Sequence, residues 1–136
     1  MYTATQTTFQ PIPADVERIG KVVLNAAYKV HTTLGPGLLE TVYQTSLKHV
    51  IEKSGVAVKT DVKLPIIFEG TKLDSGLQLG MLVDKRVIVE LKSVERMNVL
   101  YEKQVITYLR LSRLRLGFLI NFNVVVIKYG IKRMIL

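Results

Sequence analysis

The sequence contains no cysteine, only two histidines and no long apolar run. The absence of cysteine excludes disulfides, thiolate catalysis and zinc or iron–sulfur sites held by thiolates. Both histidines lie far along the chain from the charged strand motif described below, which disfavours a histidine-rich zinc site. A metal site in this chain would therefore use mainly oxygen ligands, which favours magnesium or manganese.

No apolar segment approaches the roughly 18–20 residues that a membrane-spanning helix needs. The first residues also lack the basic and apolar regions of a signal peptide. We therefore expect a cytoplasmic protein without a membrane partner. The length of 136 residues predicts one domain, residues 14–136. The Thr- and Gln-rich residues 1–13, which end in two prolines, are expected to form a flexible N-terminal arm.

Acidic residues are few compared with basic ones, 11 against 19, and the net charge is +8. This charge is compatible with a polyanionic partner such as DNA or RNA, but the basic residues are spread out and the charge alone is not diagnostic. The hydrophobic fraction of 49% is high for a soluble protein. It predicts a compact core and would suit a homodimer.

Apolar spacing predicts three helices and several strands. The helices are expected at Ala14–Thr33, at Leu38 to about Gly55 and at Asn98 to about Arg115, with a turn at Leu34-Gly35-Pro36-Gly37. Strands are expected on both sides of Pro65 and at Leu77–Val83, Val87–Ser93, Gly117–Phe122, Val124–Tyr129 and Lys132–Leu136. This order predicts an α/β fold in which helices flank a mixed α+β sheet.

One predicted strand, Val87-Ile-Val-Glu-Leu-Lys-Ser93, is apolar apart from charges near its end. Glu90 and Lys92 are two residues apart, so their side chains leave the same face of a strand. Burying a charge is costly unless it is paired or bound. Two interpretations remain open: an internal salt bridge or solvated strand end, and a catalytic pair in which a carboxylate holds a metal beside a lysine.

Four blocks of sequence resemble a known family. The segment Gly37-Leu-Leu-Glu40-Thr-Val-Tyr43 matches the signature of the GxxExxY proteins, which are assigned to the PD-(D/E)XK nuclease-like superfamily. The other blocks are the strand ending in Glu90-Leu91-Lys92, the helical Gln104 with Tyr108, and Leu116–Phe122. The resemblance runs from about residue 14 to the C-terminus, where Lys132-Arg133 resembles a closing basic pair.

The resemblance implies a restriction-endonuclease-like core, with a four-stranded mixed sheet flanked by helices, and a magnesium-dependent nuclease that cleaves DNA or RNA. Glu90 and Glu40 would be metal ligands together with the backbone carbonyl of Leu91. Lys92 would assist the attacking water. Gln104, Tyr108 and Tyr43 would contact the substrate or support these groups.

The chain departs from the family pattern at Gly80, which stands where an aspartate is the principal metal ligand. Glycine offers a metal no side chain, so magnesium or manganese binding is expected to be weak or absent. Asp84 and Asp74 are the nearest acidic residues on either side of the predicted strand Leu77–Val83, and both are expected in turns. The sequence therefore predicts an impaired nuclease or, alternatively, an inactive module that binds nucleic acid or a protein partner.

Each remaining candidate has a structural interpretation beside the functional one. Glu40 lies in the first turn of its helix, where the helix dipole favours a carboxylate. Tyr43 could be a packed aromatic residue whose hydroxyl orients a neighbour. Gln104 could bond the sheet edge, and Gly35-Pro36-Gly37 lacks the spacing and lysine of a nucleotide-binding loop and is expected to be a turn.

Overall fold

A computed structural model describes residues 10–136. Residues 1–9, most of the predicted N-terminal arm, lie outside the described range. Within the range three α-helices and five strands follow one another. They are α1 (Ala14–Leu34), α2 (Glu40–Lys53), β1 (Val58–Phe68), β2 (Thr71–Val83), β3 (Val87–Lys92), α3 (Val99–Ser112), β4 (Leu116–Asn121) and β5 (Ile131–Ile135). None of these helices is long and apolar enough to cross a bilayer.

The strands form one mixed sheet in the order β1-β2-β3-β4-β5. Neighbouring strands are antiparallel except β3 and β4, which run parallel and are connected by α3. A parallel pair needs such a crossover, because a short turn cannot return the chain to the same end of the sheet. The predicted mixed sheet flanked by helices is confirmed, and it has five strands where the resemblance implied a core of four.

The sheet is covered by helices on both faces. Val87, Val89 and Leu91 of β3 pack in one cluster with α1 and α2, whereas Ile88 packs in a second cluster with α3. Alternate residues of a strand point to opposite faces. Glu90 and Lys92 therefore belong to the face that α3 covers.

The turn predicted at Gly35-Pro36-Gly37 is confirmed. Gly35 and Gly37 have φ angles of +71° and +95°, which are accessible to glycine and end α1 abruptly. The fully buried Tyr43 of α2 holds this turn, because its hydroxyl donates to the Gly35 carbonyl at 2.6 Å and accepts from the Leu38 N–H at 3.1 Å.

Three strand predictions differ from the structure. β2 begins at Thr71 and not at Leu77, so Asp74, which the sequence predicts in a turn, lies within the strand. Pro65 does not divide the chain into two strands; β1 runs through it, with a shift of register between Leu64 and Ile66. Since β1 is an edge strand, the missing N–H of proline is tolerated there. The predicted strand Val124–Tyr129 is wrong, because this segment forms bends and a 3₁₀ turn at Ile127–Gly130. Here tertiary packing overrides the strand preference of a valine run: the His31 Nε2 bonds the Val124 carbonyl at 2.8 Å.

Candidate functional site

The candidate site lies where β2 separates from β3. Met81↔Val89 is the last pair of the β2–β3 ladder, and Gly80 comes immediately beyond it. The Gly80 N–H donates to Glu90 Oε2 at 2.7 Å. A β-carbon built on Gly80 would lie 3.2 and 3.3 Å from the two carboxylate oxygens of Glu90. The Glu90 carboxylate thus borders the space in which a side chain at position 80 would begin.

Gln44 of α2 holds the other side of Gly80. Its Nε2 donates to the Gly80 carbonyl at 3.0 Å. Both backbone groups of the glycine are therefore bonded by side chains, one from a helix and one from the adjacent strand. Sequence reasoning missed Gln44, which lies one residue beyond the Gly37–Tyr43 motif and gives no signal of its own.

Asp61 is a second residue that sequence reasoning missed. In the β1–β2 ladder Thr60 pairs with Met81 and Val62 pairs with Leu79, so Asp61 lies opposite Gly80. Asp61 has a φ of +52°, in the left-handed region where aspartate is tolerated better than most residues. The register of the hairpin could have revealed this carboxylate, because it follows from the strand pairing and not from the motif.

Burial raises the pKa of Glu90 above its ordinary value of 4.5. The hydrogen bond from Gly80 and the positive charge of Lys92 oppose this increase, while the negative charges of Glu40 and Asp61 add to it. Glu40 is exposed at the first position of α2. The Glu90 carboxylate is therefore near enough to two other carboxylates to feel their charge.

These carboxylates are not arranged as a metal site. Among residues 10–136, no group of three or more aspartate, glutamate, histidine or cysteine side chains is placed to hold a metal ion. Position 80 supplies no donor, and one oxygen of Glu90 already accepts the Gly80 N–H. Leu91, whose side chain is buried, offers only its backbone carbonyl. The donor set in this arrangement does not fit magnesium.

Lys92 does not form the internal salt bridge with Glu90 that the sequence left open. Among the ion pairs of the described residues, none joins these two side chains within 4.0 Å. The Lys92 ammonium lies over the Tyr101 ring of α3, 4.3 Å from the ring centroid. A cation at this distance is attracted by the electron-rich face of the ring.

The α3 candidates lie on the same side of the sheet as Glu90. The pKa of Tyr108 is raised by burial and by the negative charge of Glu90, against a lowering contribution from Gln104. Tyr108 therefore lies near enough to Glu90 to feel its charge, and Gln104 precedes it by four residues on α3. Tyr43 lies within the core, where its ring stacks on Phe122 at 4.6 Å between centroids.

The other acidic and basic candidates are engaged elsewhere. Asp84 forms an ion pair with Arg86 at 3.5 Å in the β2–β3 turn, and Asp74 lies 3.9 Å from Lys72. At the C-terminus Lys132 binds Glu102 at 2.7 Å, and Arg133 binds both oxygens of Glu17 at 2.8 Å. The carboxylate charges that act on Glu90 are therefore those of Glu40 and Asp61 and not those of Asp74 or Asp84.

We expect Glu90→Gln to stabilise the fold more at high pH than at low pH. In the unfolded chain Glu90 has its ordinary pKa of 4.5, and in the folded protein its pKa is higher. At a pH between these two values the folded state therefore binds more protons than the unfolded state. Stability then falls as pH rises through this window, and glutamine removes that loss while its carbonyl can still accept the Gly80 N–H. Urea unfolding at pH 4 and pH 8 measures the difference, with the exposed Glu52→Gln as the control. A benefit from Glu90→Gln that is equal at both pH values would contradict the assignment.

A comparison with protein-family models gives a match to the PD-(D/E)XK nuclease superfamily over residues 17–134. Comparisons with curated proteins and with solved structures give no match. The matched range includes α2, α3, all but the first three residues of α1, all but the last residue of β5, and every candidate residue named above.

Proposed function

Because this chain belongs to the PD-(D/E)XK nuclease superfamily, we propose that it binds nucleic acid around Glu90 and Lys92 and that its phosphodiesterase centre is impaired at Gly80. Within the superfamily we assign it to the GxxExxY proteins, because the spacing of Gly37, Glu40 and Tyr43 matches the signature of that family. The fold supplies the scaffold, but fold alone does not establish activity. The proposal therefore rests on the chemistry of the site.

The observation that carries the proposal is the 2.7 Å hydrogen bond from the Gly80 N–H to the Glu90 carboxylate. In the family pattern this position is an aspartate, and a metal ion between that aspartate and the strand glutamate would lower the pKa of a water and offset phosphate charge. Here the glutamate oxygen accepts a backbone N–H. Removing groups that support a metal typically costs 10- to 100-fold in metal affinity or activity, and a missing ligand should cost at least as much.

The charge of the chain supports nucleic acid as the partner. The net charge is +8, and Lys92 lies beside the candidate site without an ion-pair partner among the described carboxylates. Lysine side chains that neutralise phosphates release condensed counterions, which supplies much of the affinity of proteins for nucleic acid. Such binding needs no metal ion.

We therefore expect the wild-type protein to bind oligonucleotides in EDTA at least as well as in magnesium, and to leave them intact. Fluorescence anisotropy with labelled DNA and RNA measures binding, and gel electrophoresis of the same samples detects cleavage. Affinity should fall as the salt concentration rises, since phosphate contacts release counterions. Binding that is lost in EDTA, or cleavage that depends on Glu90, would contradict the proposal.

A module that binds a protein partner, including a second copy of the chain, is the alternative. Exposed apolar side chains at the start of α2 favour it: Leu39 is 73% exposed, Val42 39% and Leu38 38%. This alternative is supported if the protein binds no oligonucleotide and light scattering shows a dimer that the Leu39→Glu substitution dissociates. The homodimer suggested by composition stays a prediction.

A further inference from the structure

An open groove lies between the end of β3 and one side of α3. Its volume is about 490 Å³, and we call it the Lys92 groove; its lining residues are Lys92, Leu100, Tyr101, Lys103, Gln104 and Thr107. Pockets for small ligands typically measure 300–1,000 Å³, so this groove can hold one nucleotide unit. It adjoins the candidate site through Lys92, whose strand also carries Glu90.

The charge of the groove suits a phosphate. Its lining contains two ammonium groups and no carboxylate. Neither Lys92 nor Lys103 takes part in an ion pair among the described residues. The acidic neighbour on α3, Glu102, is bonded to Lys132 at 2.7 Å and is not part of the lining. The two ammonium groups are therefore available to an incoming anion.

The groove also offers apolar and aromatic surface. Leu100 is 67% exposed, and the half-buried Tyr101 ring lies 4.3 Å from the Lys92 ammonium. The Gln104 and Thr107 side chains add hydrogen-bonding groups along the same helix. A polar and cationic lining beside an aromatic ring matches the two parts of a nucleotide, because the base has an apolar face and the backbone carries the charge.

We propose that the Lys92 groove binds one nucleotide unit of a single-stranded nucleic acid. The phosphate contacts Lys92 and Lys103, and the base packs against Tyr101 and Leu100. In a duplex the bases are stacked on one another, so only the phosphates could reach the groove. This inference rests on the proposed function, since it presumes that the protein binds nucleic acid.

The groove has a matched control within the chain. Tyr129 is 78% exposed, and the Lys128 ammonium lies 5.9 Å from its ring centroid. This pair reproduces the combination of lysine and tyrosine outside the Lys92 groove. Tyr129→Ala therefore removes an exposed aromatic ring near a lysine without changing the groove.

The experiment measures affinity in EDTA for a labelled single strand of about 12 nucleotides, within the site sizes of single-strand binding folds, and for the duplex of the same sequence. Base stacking on an aromatic side chain is worth about 5- to 150-fold in affinity, so Tyr101→Ala should weaken single-strand binding by a factor in this range. Its effect on the duplex should be small. Lys103→Ala should weaken binding to both and lower the salt dependence by about one released counterion.

Two outcomes separate the inference from the proposed function. If the wild type binds neither oligonucleotide, both are overturned. If it binds but Tyr101→Ala behaves like Tyr129→Ala, the groove inference is overturned while nucleic-acid binding stands. Circular dichroism checks that each variant folds. Tyr101→Leu keeps an apolar side chain against the buried cluster between α3 and the sheet, and the exposed Lys103→Ala tests the groove without touching the core.

Discussion

Gly80→Asp should convert the protein into a metal-dependent nuclease, with a cleavage rate at least about 100-fold above that of the wild type. The substitution is sterically feasible, because Gly80 does not have a positive φ. The nearest atoms to the new β-carbon, at 3.2 and 3.3 Å, are the oxygens at the end of the Glu90 side chain. That end can rotate away, and it then becomes available as a second carboxylate beside the introduced aspartate.

The same substitution should change metal binding in a way that does not depend on cleavage. Two adjacent carboxylates repel each other without a cation, so Gly80→Asp should unfold at a lower temperature than the wild type in EDTA. Manganese should then raise its midpoint, because a ligand that binds only the folded state stabilises it. The wild-type midpoint should change little.

Two controls make this test specific. Gly80→Asn adds a side chain of similar size without the negative charge and should neither cleave nor respond to manganese. Gly80→Asp combined with Glu90→Ala should be inactive, since one of the two strand carboxylates is then missing. If Gly80→Asp stays inactive, position 80 alone does not account for the impairment. If the wild type itself cleaves, Asp61 opposite Gly80 is the carboxylate to replace next.

Phe122→Ala should cost about 3–5 kcal/mol of the free energy of unfolding. Phe122 is fully buried immediately after β4, and its ring stacks on Tyr43 with 4.6 Å between centroids and 7° between planes. Its N–H also donates to the Lys92 carbonyl at 3.0 Å. Truncation leaves a cavity between α2 and the sheet, and a domain has only about 5–15 kcal/mol of stability in total.

The matched control is Phe68→Ala at the end of β1, where the ring is 62% exposed. Substitutions at exposed sites usually change stability by less than about 0.5 kcal/mol. Urea unfolding followed by circular dichroism compares the two midpoints. Equal shifts for the two variants would contradict the central role assigned to the Phe122–Tyr43 stack.

This stack connects stability with the candidate site. Tyr43 bonds Gly35 and Leu38, which precede Glu40 at the start of α2. Gln44 follows Tyr43 and bonds the Gly80 carbonyl. A loosened Tyr43 should therefore disturb both the position of Glu40 and the support of Gly80.

Helices and turns were predictable from local sequence because their causes are local. The apolar spacing of α1 and the glycines after it define the helix and its end within a few residues. The valine run at residues 124–126 misled the prediction, since β-branched residues favour a strand only where a partner strand is available. Here the chain bends, and the Val124 carbonyl bonds His31.

The sequence by itself determined the superfamily, the mixed sheet and the glycine at position 80, because these are properties of contiguous motifs and of residue order. Only the tertiary structure decided that Glu90 accepts the Gly80 N–H and that Lys92 lies over Tyr101. It also decided that Gln44 and Asp61 border the same site. These contacts join separate elements of the fold, with 10 positions between Gly80 and Glu90 and 36 between Gln44 and Gly80, and they depend on how the strands pair and the helices pack.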